Sequence, residues 1–392
     1  KDNRTEFGYN QYETTLDEFF WDINAKRLEF NAGAGSPGAP FKSLHKDQDS
    51  LNFLVKKADF NLQTSIIEAH GVAEILVADS RLIPFEGEVV INPEAKLNTF
   101  TNAIIEANAE SKKHRIENAT VEVLGRNKLR GSGSYVYKTR DTELQYIDFP
   151  SISVTTADST VITKRKKTQE TYYALTGRGV IEESEDFILY PDVTFYGDLE
   201  MFSSYDKLKI KGFTKIDFKS EFVSSDFYEI DSEVDPENLQ MDVSKAKDPG
   251  GMLVRTGIMV SKSGLNPLYT EILNNQIGPL DIPMIEVNDI LSHNYDKKSY
   301  TFGLEEKIVD PEKIMAGNIL EFTPSTGAIH AEGSLDFGTQ YGVVQEKVAG
   351  TVDANLNDNQ YTFNTTLSFP WKFDKDLLEK IGFYLLEDNF DL

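Results

Sequence analysis

One phrase returns along this chain, first as Asp59-Phe60-Asn61-Leu62-Gln63-Thr64-Ser65-Ile66-Ile67-Glu68-Ala69-His70-Gly71-Val72 and again as Glu321-Phe322-Thr323-Pro324-Ser325-Thr326-Gly327-Ala328-Ile329-His330-Ala331-Glu332-Gly333-Ser334. In both copies an alternating apolar and polar run meets a short polar turn and continues as a second alternating run. Alternation with a period of two residues places the apolar side chains on one face of a β-sheet. The phrase therefore predicts stacked antiparallel β-hairpins.

The composition favours the same fold class for the whole chain. Its 392 residues are 40% hydrophobic and include 25 Phe and 17 Tyr, which suit strands better than helices. This length is enough for about two or three domains. We expect an all-β protein in which hairpins form jelly-roll or sandwich sheets, or a solenoid-like stack, with a few short helices that include one near the C-terminus.

Charge and cysteine content exclude several functional classes. The chain has 40 Lys and Arg against 64 Asp and Glu, a formal net charge of −24, which repels nucleic-acid phosphates and anionic lipid surfaces. It has no cysteine, which excludes disulfides, thiolate catalysis and cysteine-ligated zinc. No apolar run approaches the roughly 18 residues of a membrane-spanning helix. We therefore expect no nucleic-acid partner and no transmembrane segment.

Breaks in the pattern suggest three domains. Residues 1–165 are predicted to form a repeat-like β domain with a Gly/Pro loop at 33–48, residues 166–248 a β-sandwich-like domain, and residues 249–392 a β domain with short helices. In the first of these, the run Asn102–Ala107 recurs 16 residues later as Asn118–Val123, which suggests a sheet extended by repetition. The basic cluster Lys164–Lys167 marks the first boundary.

Two segments are predicted to be helical. Asn266-Pro267-Leu268-Tyr269-Thr270-Glu271-Ile272-Leu273 has a capping residue, a proline at the first helical position and an apolar stripe. Asp374 is placed to cap a second helix from Lys375 to Leu386, with its apolar residues on one face. Both helices are expected to pack within the protein or against a partner.

The glycine spacing of Gly33-Ala34-Gly35-Ser36-Pro37-Gly38 matches a dinucleotide-binding pattern, and the segment follows a predicted strand. That chemistry requires a helix to begin there, so that its amides hold a pyrophosphate. Pro37 and Pro40 obstruct such a helix, so the segment is interpreted as a loop.

Two acidic segments carry oxygen side chains at alternate positions, as calcium loops do. Asp353-Ala354-Asn355-Leu356-Asn357-Asp358 lacks the central glycine of such a loop and is interpreted as a hairpin turn. Within residues 229–237, Asp231, Glu233, Asp235 and Glu237 would share one strand face; a solvated linker is the preferred interpretation, and calcium binding is left open.

The remaining candidate residues do not form a catalytic set. The histidines are His45, His70, His114, His293 and His330, and none has a metal-ligand neighbour at the usual helical spacing. His70 and His330 occupy equivalent phrases, so a structural role at a strand end is preferred. Trp21 and Trp371 could stack on sugars, although packing is the simpler explanation. We assign no catalytic, cofactor-binding or metal-binding residue and expect no cofactor.

Two resemblances suggest a setting. Ile66–Val72 and Gly327–Gly333 resemble the phrasing of OstA-type β-jelly-roll proteins, a family that bridges lipopolysaccharide across the Gram-negative periplasm. Val77–Pro84, Asn118–Val121 and Gly131–Tyr135 are similar to very large, poorly characterised β-rich envelope proteins of Bacteroidota-type bacteria. The second resemblance implies an exported segment of a longer polypeptide, located in the periplasm or at the outer membrane. It carries over no catalytic residue.

The leading functional hypothesis is a non-enzymatic envelope scaffold that acts through contacts with envelope or outer-membrane proteins. A lipid or lipopolysaccharide carrier is the first alternative, because open jelly rolls can hold acyl chains between sheets. A carbohydrate-binding or carbohydrate-active module is the second, because the chain combines acids and aromatics on β structure.

Overall fold

The computed structural model describes residues 4–16, 18–33, 35–108, 111–163, 166–223, 226–262, 267–310, 315–337, 347–368 and 375–387. The chain is 56% strand and 7% helix, in several antiparallel sheets with two short helices among the described residues, which confirms the all-β prediction. It divides into two compact units where the sequence was interpreted as three domains. The first unit is Lys1–Ile216 with Glu229–Gln240, and the second is Asp217–Tyr228 with Met241–Leu392.

The first twenty strands belong mainly to the first unit. In chain order they are β1 (Thr5–Phe7), β2 (Tyr12–Thr14), β3 (Phe19–Asp22), β4 (Arg27–Asn31), β5 (Ala39–Ser43), β6 (Asn52–Val55), β7 (Lys57–Asn61), β8 (Ile67–His70), β9 (Ile75–Val77), β10 (Ser80–Ile83), β11 (Val89–Ile91), β12 (Phe100–Ala107), β13 (His114–Gly125), β14 (Lys128–Tyr137), β15 (Gln145–Thr163), β16 (Lys166–Ile181), β17 (Ile188–Tyr190), β18 (Val193–Phe202), β19 (Leu208–Ile216) and β20 (Tyr228–Val234). They form a 15-stranded sheet in the order β1-β2-β5-β6-β9-β10-β12-β13-β14-β15-β16-β18-β19-β20, with β17 on β18, and a five-stranded sheet in the order β11-β8-β7-β4-β3.

The second unit holds two further sheets and both helices. Its elements are β21 (Gln240–Asp242), β22 (Arg255–Val260), β23 (Leu268–Asn274), β24 (Ile282–Glu286), β25 (Ile290–Asn294), β26 (Ser299–Gly303), α1 (Glu305–Val309), β27 (Ile319–Thr323), β28 (Ala328–Leu335), β29 (Lys347–Asn355), β30 (Gln360–Ser368) and α2 (Lys375–Glu387). A seven-stranded sheet runs β21-β25-β26-β27-β28-β29-β30, and a three-stranded sheet runs β23-β22-β24.

Both copies of the repeated phrase are hairpins, as predicted. In the first copy β7 pairs with β8 and Phe60 lies opposite Ile67. In the second copy β27 pairs with β28 and Phe322 lies opposite Ile329. The isoleucine of each copy is buried, so the two-residue alternation does place the apolar side chains on one face.

The helix predicted for residues 266–273 was wrong, because Leu268–Leu273 belong to strand β23. The cap expected for that helix, Asn266, lies outside the described residues. Strand β23 pairs with β22, with Glu271 opposite Gly257. Tyr, Thr and Ile favour strands, and this pairing outweighs the helical start signal. The second helix is confirmed as α2, while its expected cap, Asp374, lies outside the described residues.

The Gly/Pro loop is shorter than the predicted range of 33–48. Strand β5 begins at Ala39 and alternates buried and exposed residues, with Phe41 fully buried. A 3-10 turn at Lys46–Gln48 follows. Pro40 is tolerated because the pairing of β5 with β2 begins only at the next residue, Phe41.

The recurring Asn-Ala pair marks β-bulges in neighbouring strands. Asn102 in β12 and Asn118 in β13 have φ values of 53° and 50°, and the register shifts beside each of them. The two strands pair with each other, with Ala103 opposite Ala119. Asparagine tolerates the left-handed conformation that such a bulge needs, and each bulge bends the sheet.

The 15-stranded sheet curls until distant strands meet. Asp79, in the turn between β9 and β10, accepts a hydrogen bond from the backbone N–H of Leu175 in β16 at 3.0 Å and another from the hydroxyl of Ser203. Five strand spacings separate β10 from β16 in the sheet order, which would span about 24 Å in a flat sheet. The part from β10 to β20 is therefore rolled onto itself. We call this part the roll, and Asp79, Leu175 and Ser203 its latch.

Glycines allow an aromatic ring to lie directly on the inner surface of the roll. A Cβ added to Gly177 would sit 2.3 Å from Cδ2 of Phe149, and one added to Gly179 would sit 2.9 Å from its Cδ1. Phe149 is 1% exposed and stacks on Tyr135 with ring centroids 5.1 Å apart. The interior of the roll is thus filled by side chains at this level.

The outer part of the longest hairpin, formed by β15 and β16, pairs with no other described strand. From Val154 to Thr163, β15 pairs with β16 between Lys166 and Leu175, whereas β14 pairs with β15 no further than Ser153. Strand β18 meets β16 only from Thr176 onward. Among the described residues, these ten pairs form a two-stranded arm about 33 Å long.

Candidate functional site

The first candidate site is a strand edge of the first unit that carries four consecutive or near-consecutive exposed apolar side chains. Strand β3 ends the five-stranded sheet, and no other described strand pairs with its outer edge. Phe19, Phe20 and Trp21 are 55%, 65% and 56% exposed, and Ile23 in the following turn is 71% exposed. Large apolar side chains that remain exposed together mark interaction surfaces. We call residues 18–23 the β3 edge.

The two faces of β3 differ in chemistry. Phe19 lies opposite the buried Phe30, and Trp21 lies opposite Leu28, so both point to the core side of the sheet. Phe20 lies opposite Glu29, on the outer side. Alternation places Glu18 and Asp22 on the same side as Phe20.

The core-facing side of β3 is exposed because the opposing sheet stops short of it. Phe7 of β1, the first strand of the 15-stranded sheet, packs on Phe30 of β4 and Phe60 of β7, with ring centroids 5.5 and 5.1 Å apart. These contacts cover β4 and β7. Phe19 and Trp21 extend beyond this cover, so both rings are exposed while Phe30 beneath them stays buried.

The outer side of the five-stranded sheet is a network of charges. Arg27 of β4 pairs with Glu29, with Nη2 and Oε1 2.5 Å apart, and Lys57 of β7 lies 3.3 Å from Asp59. His70 of β8 contacts Asp59 Oδ2 through Nε2 at 3.1 Å. The pairing of neighbouring strands brings these groups together, so Arg27 and Lys57 each lie beside a carboxylate.

A second candidate is a polar cleft of about 470 Å³ at one end of the roll. The first residues of β13, the last of β14, the turn between β18 and β19 and the residues after β20 meet there. Its rim carries three cationic and three anionic side chains, namely Lys113, Lys138, Arg140, Asp206, Asp235 and Glu237. Clefts at the ends of rolled sheets are common ligand sites.

Ion pairing orders the cleft. The ammonium of Lys113 lies 2.7 Å from Oδ2 of Asp206, and this hydrogen bond, with the nearby charges of Asp235 and Glu237, raises the pKa of Lys113. Thr139 donates its hydroxyl to the carbonyl of Pro236 at 2.5 Å, which ties the turn after β14 to the segment after β20.

The cleft has a buried histidine in its floor, and both ring nitrogens are engaged within the fold. Nε2 of His114 donates to the carbonyl of Tyr205 at 2.6 Å, so Nδ1 is the acceptor for the hydroxyl of Tyr135 at 2.9 Å. Burial lowers the pKa of His114 and therefore favours the neutral ring. Since neither nitrogen is left for a substrate, this histidine stabilises the end of the roll rather than acting as a general base.

The acidic segment 229–237 was interpreted as a linker, and that was wrong, because it contains β20. Tyr228, Ile230 and Val234 are buried at alternate positions, which makes the segment the last strand of the 15-stranded sheet. Asp231 and Glu233 share its exposed face. Asp235 and Glu237 do not share that face, since they follow the strand and line the cleft.

The other predicted acidic loop is a hairpin turn. Asn355 ends β29 and Gln360 begins β30, and the side chain of Asn355 accepts the N–H of Asn357 at 2.9 Å. Among the residues that the structure describes, no group of three or more His, Asp or Glu is placed to hold a metal ion. The glycine segment from Gly33 leads directly into strand β5.

The histidines of the two phrases lie at different positions. Ile67 corresponds to Ile329, so His330 takes the place of Glu68 and lies inside β28, whereas His70 ends β8. His330 contacts Asp353 of the following strand, β29, with Nδ1 and Oδ1 2.7 Å apart, whereas His70 contacts Asp59 of the preceding strand, β7. His45 accepts the N–H of Asp47 at 3.2 Å in a 3-10 turn. His293 stacks on a tyrosine of β26, Tyr300, with ring centroids 4.6 Å apart. Trp371, Lys164 and Arg165 lie outside the described residues.

Comparison with family models, curated proteins and solved structures gives no match. In the part of the chain that the structure describes, no helix is both long and apolar enough to cross a membrane.

Proposed function

We propose that this chain is a non-enzymatic interaction protein that binds an extended segment of a protein partner along the β3 edge. The observation that supports this most is the exposure of Phe19 and Trp21 on the core-facing side of a terminal strand. An added strand would satisfy the backbone groups at this edge and cover the exposed rings of Phe19 and Trp21, as in β-strand addition.

The proposed setting is the Gram-negative cell envelope, with envelope or outer-membrane proteins as partners. This part of the proposal is supported by the sequence resemblance of residues 66–72 and 77–84. The lipid-carrier alternative requires an unfilled apolar interior, which the buried ring of Phe149 inside the roll does not favour.

The experiment is quantitative co-purification of the full-length parent protein from native membranes in mild detergent. We compare wild type with Trp21→Ser and with the control Tyr146→Ser, which removes an aromatic ring that is 50% exposed on a strand paired with β14. Loss of a stoichiometric partner in Trp21→Ser alone supports the proposal. Equal recovery of all partners by the three proteins would overturn it.

A carbohydrate-binding function is the second candidate, because the exposed Trp21 ring offers a face on which a sugar could stack. A glycan array read with wild type and Trp21→Ser tests it. Binding that disappears in the variant supports carbohydrate recognition, and a silent array removes this candidate.

A further inference from the structure

We propose that the segment bound at the β3 edge alternates apolar and basic residues, with the apolar ones facing the core side and the basic ones facing outward. This inference rests on the proposed function and adds the chemistry of the partner. It follows from the two faces of β3 and from the charge around them.

The inner face selects apolar side chains. In an added antiparallel strand, residues directly opposite Phe19 and Trp21 would point to the same side as these rings. That side continues the sandwich core through Phe30, which is 1% exposed. A polar residue placed there would lose its water without gaining a partner.

The outer face selects basic side chains. Residues of the added strand opposite Glu18, Phe20 and Asp22 would meet two carboxylates that flank an aromatic ring. Asp22 lies opposite Arg27, and its Oδ1 accepts the N–H of Ala25 at 2.9 Å, whereas Glu18 is exposed immediately before the strand. A Lys or Arg in the added strand can therefore pair best with Glu18 and lie over the ring of Phe20.

A second copy of this chain fits the edge less well. Two β3 strands paired symmetrically about Phe20 would place Glu18 of each copy directly opposite Asp22 of the other, on the same face. Like charges directly opposite each other destabilise a strand pair. The net charge of −24 on each copy adds a further repulsion.

The test uses three synthetic peptides with six-residue cores and the full-length chain. The first core alternates Val and Lys, the second alternates Val and Glu, and the third has the composition of the first with its Val and Lys in two blocks. Binding is measured by isothermal titration at low salt, and protection of the β3 amides by hydrogen exchange. We expect the Val-Lys alternating peptide to bind at least about tenfold more tightly than the other two and to protect β3.

Charge reversal provides the decisive variant. In Glu18→Lys, which changes an exposed residue and keeps the hydrogen bond of Asp22 to the N–H of Ala25, the preference for the Val-Lys over the Val-Glu peptide should fall. Equal binding of the two peptides by wild type, or an unchanged preference in the variant, would overturn this inference and leave strand addition standing. Binding of none, or a dimer that Trp21→Ser abolishes in sedimentation, would overturn it as well. The co-purification experiment tests the proposed function separately, because it does not depend on the sequence of the partner.

Discussion

Removal of the Asp79 carboxylate should open the roll at its latch. In Asp79→Ala the hydroxyl of Ser203, which is 1% exposed, loses its acceptor, and the N–H of Leu175 retains only Ser203 Oγ, at 2.8 Å. Hydrogen bonds to a charged group contribute about 1.5–3 kcal/mol each, and Asp79 is only partly buried, so we expect a loss of about 2–4 kcal/mol of unfolding free energy. Asp79→Asn retains an acceptor and should lose about half as much.

The assay is urea unfolding of the full-length chain followed by far-ultraviolet circular dichroism. Asp148→Ala is the matched control, because Asp148 is an exposed carboxylate of the same sheet with one hydroxyl contact, from Ser134 at 3.2 Å. It should change the unfolding free energy by less than about 0.5 kcal/mol. If Asp79→Ala and Asp148→Ala unfold at the same urea concentration as wild type, the latch does not hold the roll and the reasoning is refuted.

Three further substitutions test the packing and the buried ionisable groups. Gly177→Ala should lower the unfolding free energy by about 1–3 kcal/mol or more, because its Cβ would overlap the ring of Phe149; an unchanged urea midpoint would show that the ring moves aside. Burial raises the pKa of Glu271, so its ionisation destabilises the fold as pH rises above about 4.5. Glu271→Gln should therefore raise the melting temperature at pH 7 but not at pH 4. An equal effect at both pH values would contradict this reasoning. Burial lowers the pKa of His114, so the unfolded chain takes up a proton first as pH falls below about 6.5. The unfolding free energy should therefore decline below that pH, and its slope against pH should be shallower in His114→Gln. Parallel slopes in the two proteins would refute the assignment.

The hairpins could be predicted because their signal is local. The alternation around Ile67 and Ile329 determines which face is buried, whatever the rest of the chain does. The segment around Glu271 was mistaken for a helix because its start signal is local too, whereas its pairing with β22 is not. The strand at Ile230 was missed because alternating acids suit a solvated linker as well as a strand, and only the position of β20 in the sheet buries the residues between them.

The candidate sites differ in the same way. The β3 edge has a local signal, since three consecutive aromatics from Phe19 interrupt the alternation and place an aromatic ring on each face of the strand. The cleft has none, because Lys113, Asp206 and Asp235 come from distant parts of the chain and meet only when the sheet rolls up. Sequence patterns report on pairs of adjacent strands, and the curvature that closes a roll arises from bulges and glycines spread over many strands.

The two-stranded arm of β15 and β16 has a consequence for how this protein can change over evolutionary time. Its ten outer pairs contact each other in register and pair with no further described strand, so their number is not tied to the length of any neighbouring strand. Insertions or deletions of two residues in each strand would preserve which side chains face each side and change the reach by about 7 Å. An insertion of one residue in one strand would instead exchange the faces. Related chains can therefore differ in the length of this arm by two residues per strand at a time, without any change in the roll.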